Sequence, residues 1–147
     1  MSTLTDLKEL VNTCSYQFQN GVIVVNTTPH PLTMVDMDGT TVSIPSSVPV
    51  GEKTGPLLIN AKATETACGK HTVRTKFSGN DESLAIIDTI KGCFPEASEN
   101  GDLMIVGSII AANTYHDVVG MTPAPGYERV APAEKRMSCE KFNQGDA

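Results

Sequence analysis

The chain has 147 residues, a formal net charge of −6 and a pI of about 4.9. This length fits one domain, which can bury roughly two-thirds of the surface that the unfolded chain exposes. Because an acidic surface repels a phosphate backbone, the composition argues against a dedicated binder of duplex nucleic acid. Hydrophobic residues make up 39% of the chain and Trp is absent, so the core must be built mainly from aliphatic side chains.

The four cysteines are too scattered to form a zinc site or an obvious disulfide framework. They are Cys14, Cys68, Cys93 and Cys139, and no two have the spacing of a metal-binding pair. We expect reduced thiols in a cytoplasm, with neither a metal nor a cofactor. The longest apolar runs, 22–25 and 103–112, are too short to span a bilayer, so no membrane association is expected.

The first 20 residues predict an amphipathic helix. Leu7, Leu10, Val11 and Cys14 recur at helical spacing, which places them on one face. This face is expected to pack either on its own core or across the interface with a second subunit.

Strands are predicted at 22–25, 32–35, 40–44, 57–63, 71–77, 103–108 and 117–121. The first and sixth of these begin with unbroken apolar runs, which are typical of interior strands covered on both faces. We therefore expect 22–25 and 103–106 to be neighbours in the sheet. Asp38-Gly39 predicts the turn of a hairpin, and residues 127–142 are interpreted as a second hairpin around Ala131-Pro132.

Helices are predicted at 81–90 and 109–115, with a polar, acidic loop at 94–101. The strand–helix–strand order from 103 to 121 indicates a parallel crossover. We therefore predict a single α/β domain with a mixed sheet and two or three helices, with α+β as the alternative. The core is expected at 22–142, followed by a frayed tail at 143–147.

The segment from Asn26 to Pro31 is the strongest local feature. It follows a buried strand, at the position where open α/β sheets bind ligands. Asn26, Thr28 and His30 supply an amide, a hydroxyl and an imidazole that could contact a base, a ribose or a phosphate. Alternatively, Asn26 and Thr28 satisfy backbone groups in an irregular turn.

A second polar group follows the predicted strand at 103–106. Gly107-Ser108 stands at a strand-to-helix junction, where helix amides could hold an anion or where Ser108 could simply cap the helix. Asn113 and His116 lie further along the same element. Arg74, on the predicted strand 71–77, could clamp a phosphate or could be solvated or ion-paired.

These motifs together resemble a family of small phage and prophage proteins that begin with Asn-Leu-Thr-Pro-His. Here that motif is Asn26-Thr27-Thr28-Pro29-His30, with Thr27 in place of Leu. Further matches follow at 38–39, 44–47, 74–77, 104–108 and 138–142. The helix in the first 20 residues, the acidic segment 78–102 and an inserted Gly107 depart from the family pattern. Segment 78–102 is either a lid or a surface insertion.

The resemblance implies a context, a phage accessory protein in the cytoplasm of a host bacterial cell, rather than an activity. By analogy with phage proteins that antagonise host defence, we hypothesise sequestration of a nucleotide-like signal, such as a cyclic nucleotide or an ADP-ribose derivative. We expect a homo-oligomer. One alternative is a hydrolase or transferase with His30 or His116 as acid or base and Ser108 or Asp117 as its partner. Another is a protein-binding inhibitor or virion component.

The predicted site is one concave pocket at the ends of the two buried strands. Its expected ligand-binding residues are Asn26, Thr28, His30, Arg74, Ser108 and Asn113. In this hypothesis Ser108 and the helix amides hold an anionic group, and Arg74 neutralises its charge.

Overall fold

The computed structural model describes residues 4–48, 55–127, 129–130 and 135–144. Within these ranges it contains four helices and nine strands. The helices are α1 (Leu4–Thr13), α2 (Asp81–Cys93), α3 (Pro95–Asn100) and α4 (Ile109–Thr114). The strands are β1 (Ser15–Gln17), β2 (Ile23–Asn26), β3 (Leu32–Val35), β4 (Thr41–Ile44), β5 (Lys62–Ala67), β6 (Val73–Ser78), β7 (Leu103–Val106), β8 (Val118–Pro123) and β9 (Met137–Gln144).

Seven strands form one mixed sheet, which confirms the α/β class. Their order is β1-β2-β7-β8-β9-β3-β4, and β5 and β6 form a separate two-stranded sheet. The pairs β2–β7, β7–β8 and β3–β9 are parallel, whereas β1–β2, β8–β9 and β3–β4 are antiparallel. The two buried strands are interior neighbours, as expected, and β7–α4–β8 is the predicted parallel crossover.

Two hydrophobic cores lie on opposite faces of the sheet because successive residues of β2 point to opposite sides. Val25 packs with side chains from α1, α2 and α4, and Val24 packs with Met34 and Ile44 from β3 and β4. Since β3 and β4 stand at the far end of the strand order, the second core requires the sheet to curl back on itself. Helix α1 packs on the core of its own chain, where Val11 is fully buried.

The predictions for the segments outside the main sheet needed correction. Residues 57–61 are not a strand: Leu57 and Ile59 are buried against the helix-covered core, and β5 begins only at Lys62. The expected loop at 94–101 contains α3, which starts at Pro95, ends at Asn100 and is capped by Gly101 with a left-handed φ of 79°. With α3, the described helices number four instead of two or three.

The chain terminus also differs from the prediction. β9 pairs with β8 and β3 and is not half of a local hairpin, and residues 143–144 belong to it, not to a frayed tail. The proposed turn at Ala131-Pro132 and the tail residues 145–147 lie outside the described residues.

Candidate functional site

The side chain of Asn26 is completely buried and its polar atoms are all in use. Its amide nitrogen donates to the carbonyls of His30, Ile44 and Pro45 at 2.9, 3.2 and 3.2 Å. Its Oδ1 accepts from the backbone N–H of Thr28 at 2.9 Å and from the Thr28 hydroxyl at 2.7 Å. Asn26 therefore ties the end of β2 to the end of β4, across a gap that strand pairing does not bridge.

These hydrogen bonds favour the turn interpretation for Asn26 and Thr28. The Thr28 hydroxyl also lies 2.8 Å from the His30 carbonyl, and the Thr28 carbonyl accepts from the Ser46 hydroxyl at 2.7 Å. A ligand could reach Asn26 only by breaking contacts that hold the curled sheet. Pro29 and Pro31, on either side of the exposed His30, have no amide hydrogen to donate. The side chain of Asn26 therefore supplies the hydrogen-bond donor for the nearby carbonyls.

The crevice at the ends of β2 and β7 is occupied by the chain itself. The backbone N–H of Ile59 donates to the Thr27 carbonyl at 3.4 Å, and that of Leu57 donates to the Ser47 hydroxyl at 3.1 Å. Leu57 and Ile59 are buried, and Thr27 is 1% exposed. Segment 55–61 thus covers the place where the rule for open α/β sheets would put a ligand.

Ser108 acts as a helix cap. Its exposed side chain accepts from the backbone N–H of Ala111 at 3.1 Å, the geometry of an N-cap. The strand ends at Asn26 and Val106 are register partners, so this cap stands next to the Asn26 turn. Asn113 is exposed on α4.

Arg74 lies in the separate β5–β6 sheet, opposite Thr66. The sequence pattern identified its strand correctly, but could not show that the strand leaves the main sheet. The structure therefore brings together Asn26, Thr28 and His30 in one turn with Ser108 beside it, and places Arg74 on a different element.

The β5–β6 hairpin exposes both of its faces. Every residue from 62 to 78 is exposed, and the strands join through a turn at 68–72. Directly paired residues in an antiparallel sheet point to the same side, and the side alternates along each strand. The register therefore assigns every side chain of the hairpin to one of two faces.

The two faces differ sharply in chemistry. The basic face consists of Lys62, Thr64, Thr66, Arg74, Lys76 and Ser78. The apolar face consists of Ala63, Glu65, Ala67, Val73, Thr75 and Phe77, where Glu65 is the one charged residue. Within the described ranges one salt bridge is present, Lys91–Asp117 at 3.5 Å, so the cations of the basic face have no carboxylate partner there.

Two cavities lie at the opposite end of the main sheet, on either side of α3. One, of about 440 Å³, is lined by Ile23 and Phe94 together with the carboxylates of Glu96 and Asp102. The other, of about 240 Å³, is lined by His116 and the Lys91–Asp117 pair. Neither cavity follows from the prediction of a loop at 94–101, because both are lined by residues of α3 or its cap.

Two thiols are buried in the cores. Burial raises the pKa of Cys14. Burial, with the nearby charges of Asp36 and Glu140, raises the pKa of Cys139. A raised pKa keeps the thiol protonated, which makes both poor nucleophiles. All four cysteines of the chain are free thiols.

Among the described residues, no helix is long and apolar enough to cross a membrane, and no group of three His, Cys, Asp or Glu residues could hold a metal ion. No protein-family model, curated protein or solved structure matches the chain. The resemblance to small phage proteins stays a prediction.

Proposed function

We propose that the chain is a non-catalytic protein that binds a phosphate-bearing, nucleotide-like small molecule at the basic face of the β5–β6 hairpin. The role we propose is sequestration of a cyclic nucleotide or ADP-ribose-derived immune signal by a phage accessory protein in the bacterial cytoplasm. One observation supports the site above all: a chain with a net charge of −6 concentrates three cations on one exposed sheet face, with no carboxylate on that face.

The charge of the hairpin is opposite to that of the rest of the chain. Residues 62–78 contain four Lys or Arg and one Glu, a net charge of +3 with His neutral. The chain has 11 basic and 17 acidic residues in all, which leaves seven basic and sixteen acidic residues elsewhere, a net charge of −9. An anion approaching this protein is therefore repelled by most of the surface and attracted to the hairpin.

The side chains of the basic face are suited to phosphate. Arg74 can form two parallel hydrogen bonds to one phosphate group, and Lys76 and Lys62 supply mobile ammonium groups. Lys62 and Lys76 are diagonal neighbours, with Cα atoms about 7–8 Å apart, and Arg74 lies two positions from Lys76 on the same strand. Lys76 can therefore converge on a diphosphate with either Arg74 or Lys62. The hydroxyls of Thr64 and Thr66 can hydrogen-bond to phosphate or ribose oxygens.

The arrangement of the candidate acid–base groups favours binding over catalysis. In the described segments no hydrogen bond joins His30 or His116 to Ser108 or Asp117. Ser108 accepts from the Ala111 amide, and Asp117 pairs with Lys91. The pairs required by the enzyme alternative are therefore not assembled.

Calorimetric titration with ADP-ribose and cyclic di-AMP, with adenosine as the uncharged control, tests the site. Loss of a hydrogen-bond partner to a charged group costs on the order of 1.5–3 kcal/mol. Arg74→Ala/Lys76→Ala should therefore weaken binding by about ten- to a hundredfold or more. The matched control is Lys8→Ala/Lys141→Ala, which removes two exposed positive charges outside the hairpin.

Three outcomes would contradict the proposal. Equal losses in the two double variants would mean that net charge, and not the basic face, determines affinity. Undiminished affinity in Arg74→Ala/Lys76→Ala would place the site elsewhere. Mass spectrometry of the ligand after incubation should show it intact, and its conversion would establish an enzyme.

A further inference from the structure

The exposed apolar side chains of the molecule are concentrated around the hairpin. The described residues include seven large hydrophobic side chains that are exposed. Five of them lie on the hairpin or on the helices at its base: Val73, Phe77, Leu84, Ile109 and Ile110. Strand β6 contacts α4, and α2 begins three residues after β6 ends, so these five belong to one side of the molecule.

The hairpin needs a covering surface. A two-stranded sheet exposed on both faces is marginally stable in water. Val73 is 57% and Phe77 41% exposed, and both lie on the apolar face with Ala63 and Ala67. Burial of that face would supply the apolar contact that the hairpin lacks within its own chain.

The surface next to the hairpin has the opposite charge. Residues 81–90, the part of α2 that follows the hairpin, contain three acidic residues and no Lys or Arg, a net charge of −3. Leu84 is 48% exposed on the first turn of α2, beside Asp81, Glu82 and Asp88. An apolar centre within an acidic rim is complementary to an apolar sheet face that belongs to a basic hairpin.

We propose that this side of the molecule binds a second copy of the chain, with the apolar face of each hairpin docked on α2 and α4 of its partner. A two-fold axis satisfies both copies at once, since each supplies one hairpin and one acidic receiving surface. Contact between the two hairpins alone would bring like charges together, which disfavours that arrangement. The basic face stays open to solvent in this dimer, so the inference does not depend on the proposed ligand.

The mass of the full chain in solution, measured by light scattering at micromolar concentrations, tests the dimer. The wild-type chain should have twice the monomer mass of 15.6 kDa. Val73→Thr/Phe77→Ser should raise the dissociation constant at least about a hundredfold, because each buried side chain contributes strongly to association. Met37→Ser is the matched control, since Met37 is 50% exposed on the β3–β4 turn and should leave the mass unchanged.

A charge-reversal experiment identifies which surface receives the hairpin. Asp81→Lys/Asp88→Lys should weaken the dimer about tenfold or more at low salt, and the effect should shrink in high salt. The same variant should leave ADP-ribose binding no weaker, whereas Arg74→Ala/Lys76→Ala acts on binding, so failure of one proposal is distinguishable from failure of the other. Circular dichroism confirms that each variant is folded.

A wild-type monomer at 100 µM and low salt would overturn the inference. So would a dimer that survives Val73→Thr/Phe77→Ser, or one that is strengthened by charge reversal on α2. Amide exchange supplies an independent readout: residues 62–78 should be protected in the wild-type dimer and unprotected in the apolar-face variant.

Discussion

The turn at 26–31 and the β5–β6 hairpin use similar polar side chains in opposite ways. In the turn, the amide of Asn26 and the hydroxyl of Thr28 bond to the chain itself, and Asn26 is completely buried. In the hairpin, Thr64, Thr66 and Arg74 are exposed, with no described side chain bonded to them. The residue types of a polar motif therefore do not determine whether it can bind a ligand or instead stabilises the fold, because burial and hydrogen-bond partners decide this.

The largest effect should come from Asn26→Ala. The substitution removes the donor of the buried Ile44 carbonyl and of the partly buried Pro45 carbonyl, and an unsatisfied buried group costs about 1–3 kcal/mol. We expect a loss of about 3 kcal/mol in the free energy of unfolding, measured by urea denaturation. Thr66→Ala in the hairpin is the control and should change it by less than about 0.5 kcal/mol. A small effect of Asn26→Ala would show that the turn does not hold the curled sheet.

The parts of the fold that were predictable from sequence are those in which local pattern and burial agree. The unbroken apolar runs of β2 and β7 identified two neighbouring interior strands, and Asp38-Gly39 identified the β3–β4 turn, where Gly39 has φ 87°. The predicted strand is absent at 57–61 because Leu57 and Ile59 fill the end of the sheet without pairing with a neighbouring strand. That packing depends on tertiary contacts which a local pattern does not contain.

The candidate site was predictable only in part, for a related reason. The alternation of polar and apolar residues in 72–77 is the pattern of a strand on which Arg74 and Lys76 share a face, and the register of β6 agrees. Only tertiary structure could show that both faces of that strand are exposed. α3 did have a sequence signal, Pro95 at its first turn and Gly101 after its end, which its short and acidic sequence obscured.

A smaller loss of stability is expected from a substitution at Gly107, which follows β7 in the crevice at the ends of β2 and β7. A Cβ at this position would lie 2.6 Å from the side chain of Val118 and 3.2 Å from that of Ala111. Gly107→Ala should therefore cost about 2 kcal/mol through overpacking. Gly92→Ala is the matched control, because a Cβ there meets nothing within 4 Å on the exposed side of α2, and it should stabilise by about 0.5 kcal/mol. Thermal melts of the two variants should thus shift in opposite directions, and shifts of the same sign would refute this account of the packing.

Removal of the β5–β6 hairpin is the largest change considered, but it should have the smallest effect on the stability of the body, which is the chain without residues 62–78. Lys62 and Ser78 are register partners, so a two-residue Gly linker can replace 63–77 without moving the strand ends. The body should keep its free energy of unfolding within about 1 kcal/mol of the monomeric Val73→Thr/Phe77→Ser variant, since the removed residues are all exposed and a shorter loop costs less entropy. The base of the hairpin remains closed, because the Asn80 side chain donates to the Asn60 carbonyl at 3.1 Å and the Tyr115 hydroxyl donates to the same carbonyl.

The shortened chain should lose both ADP-ribose binding and dimerisation. A body destabilised by more than about 2 kcal/mol in urea denaturation would mean that the hairpin is part of the folding unit and not an arm that extends from it.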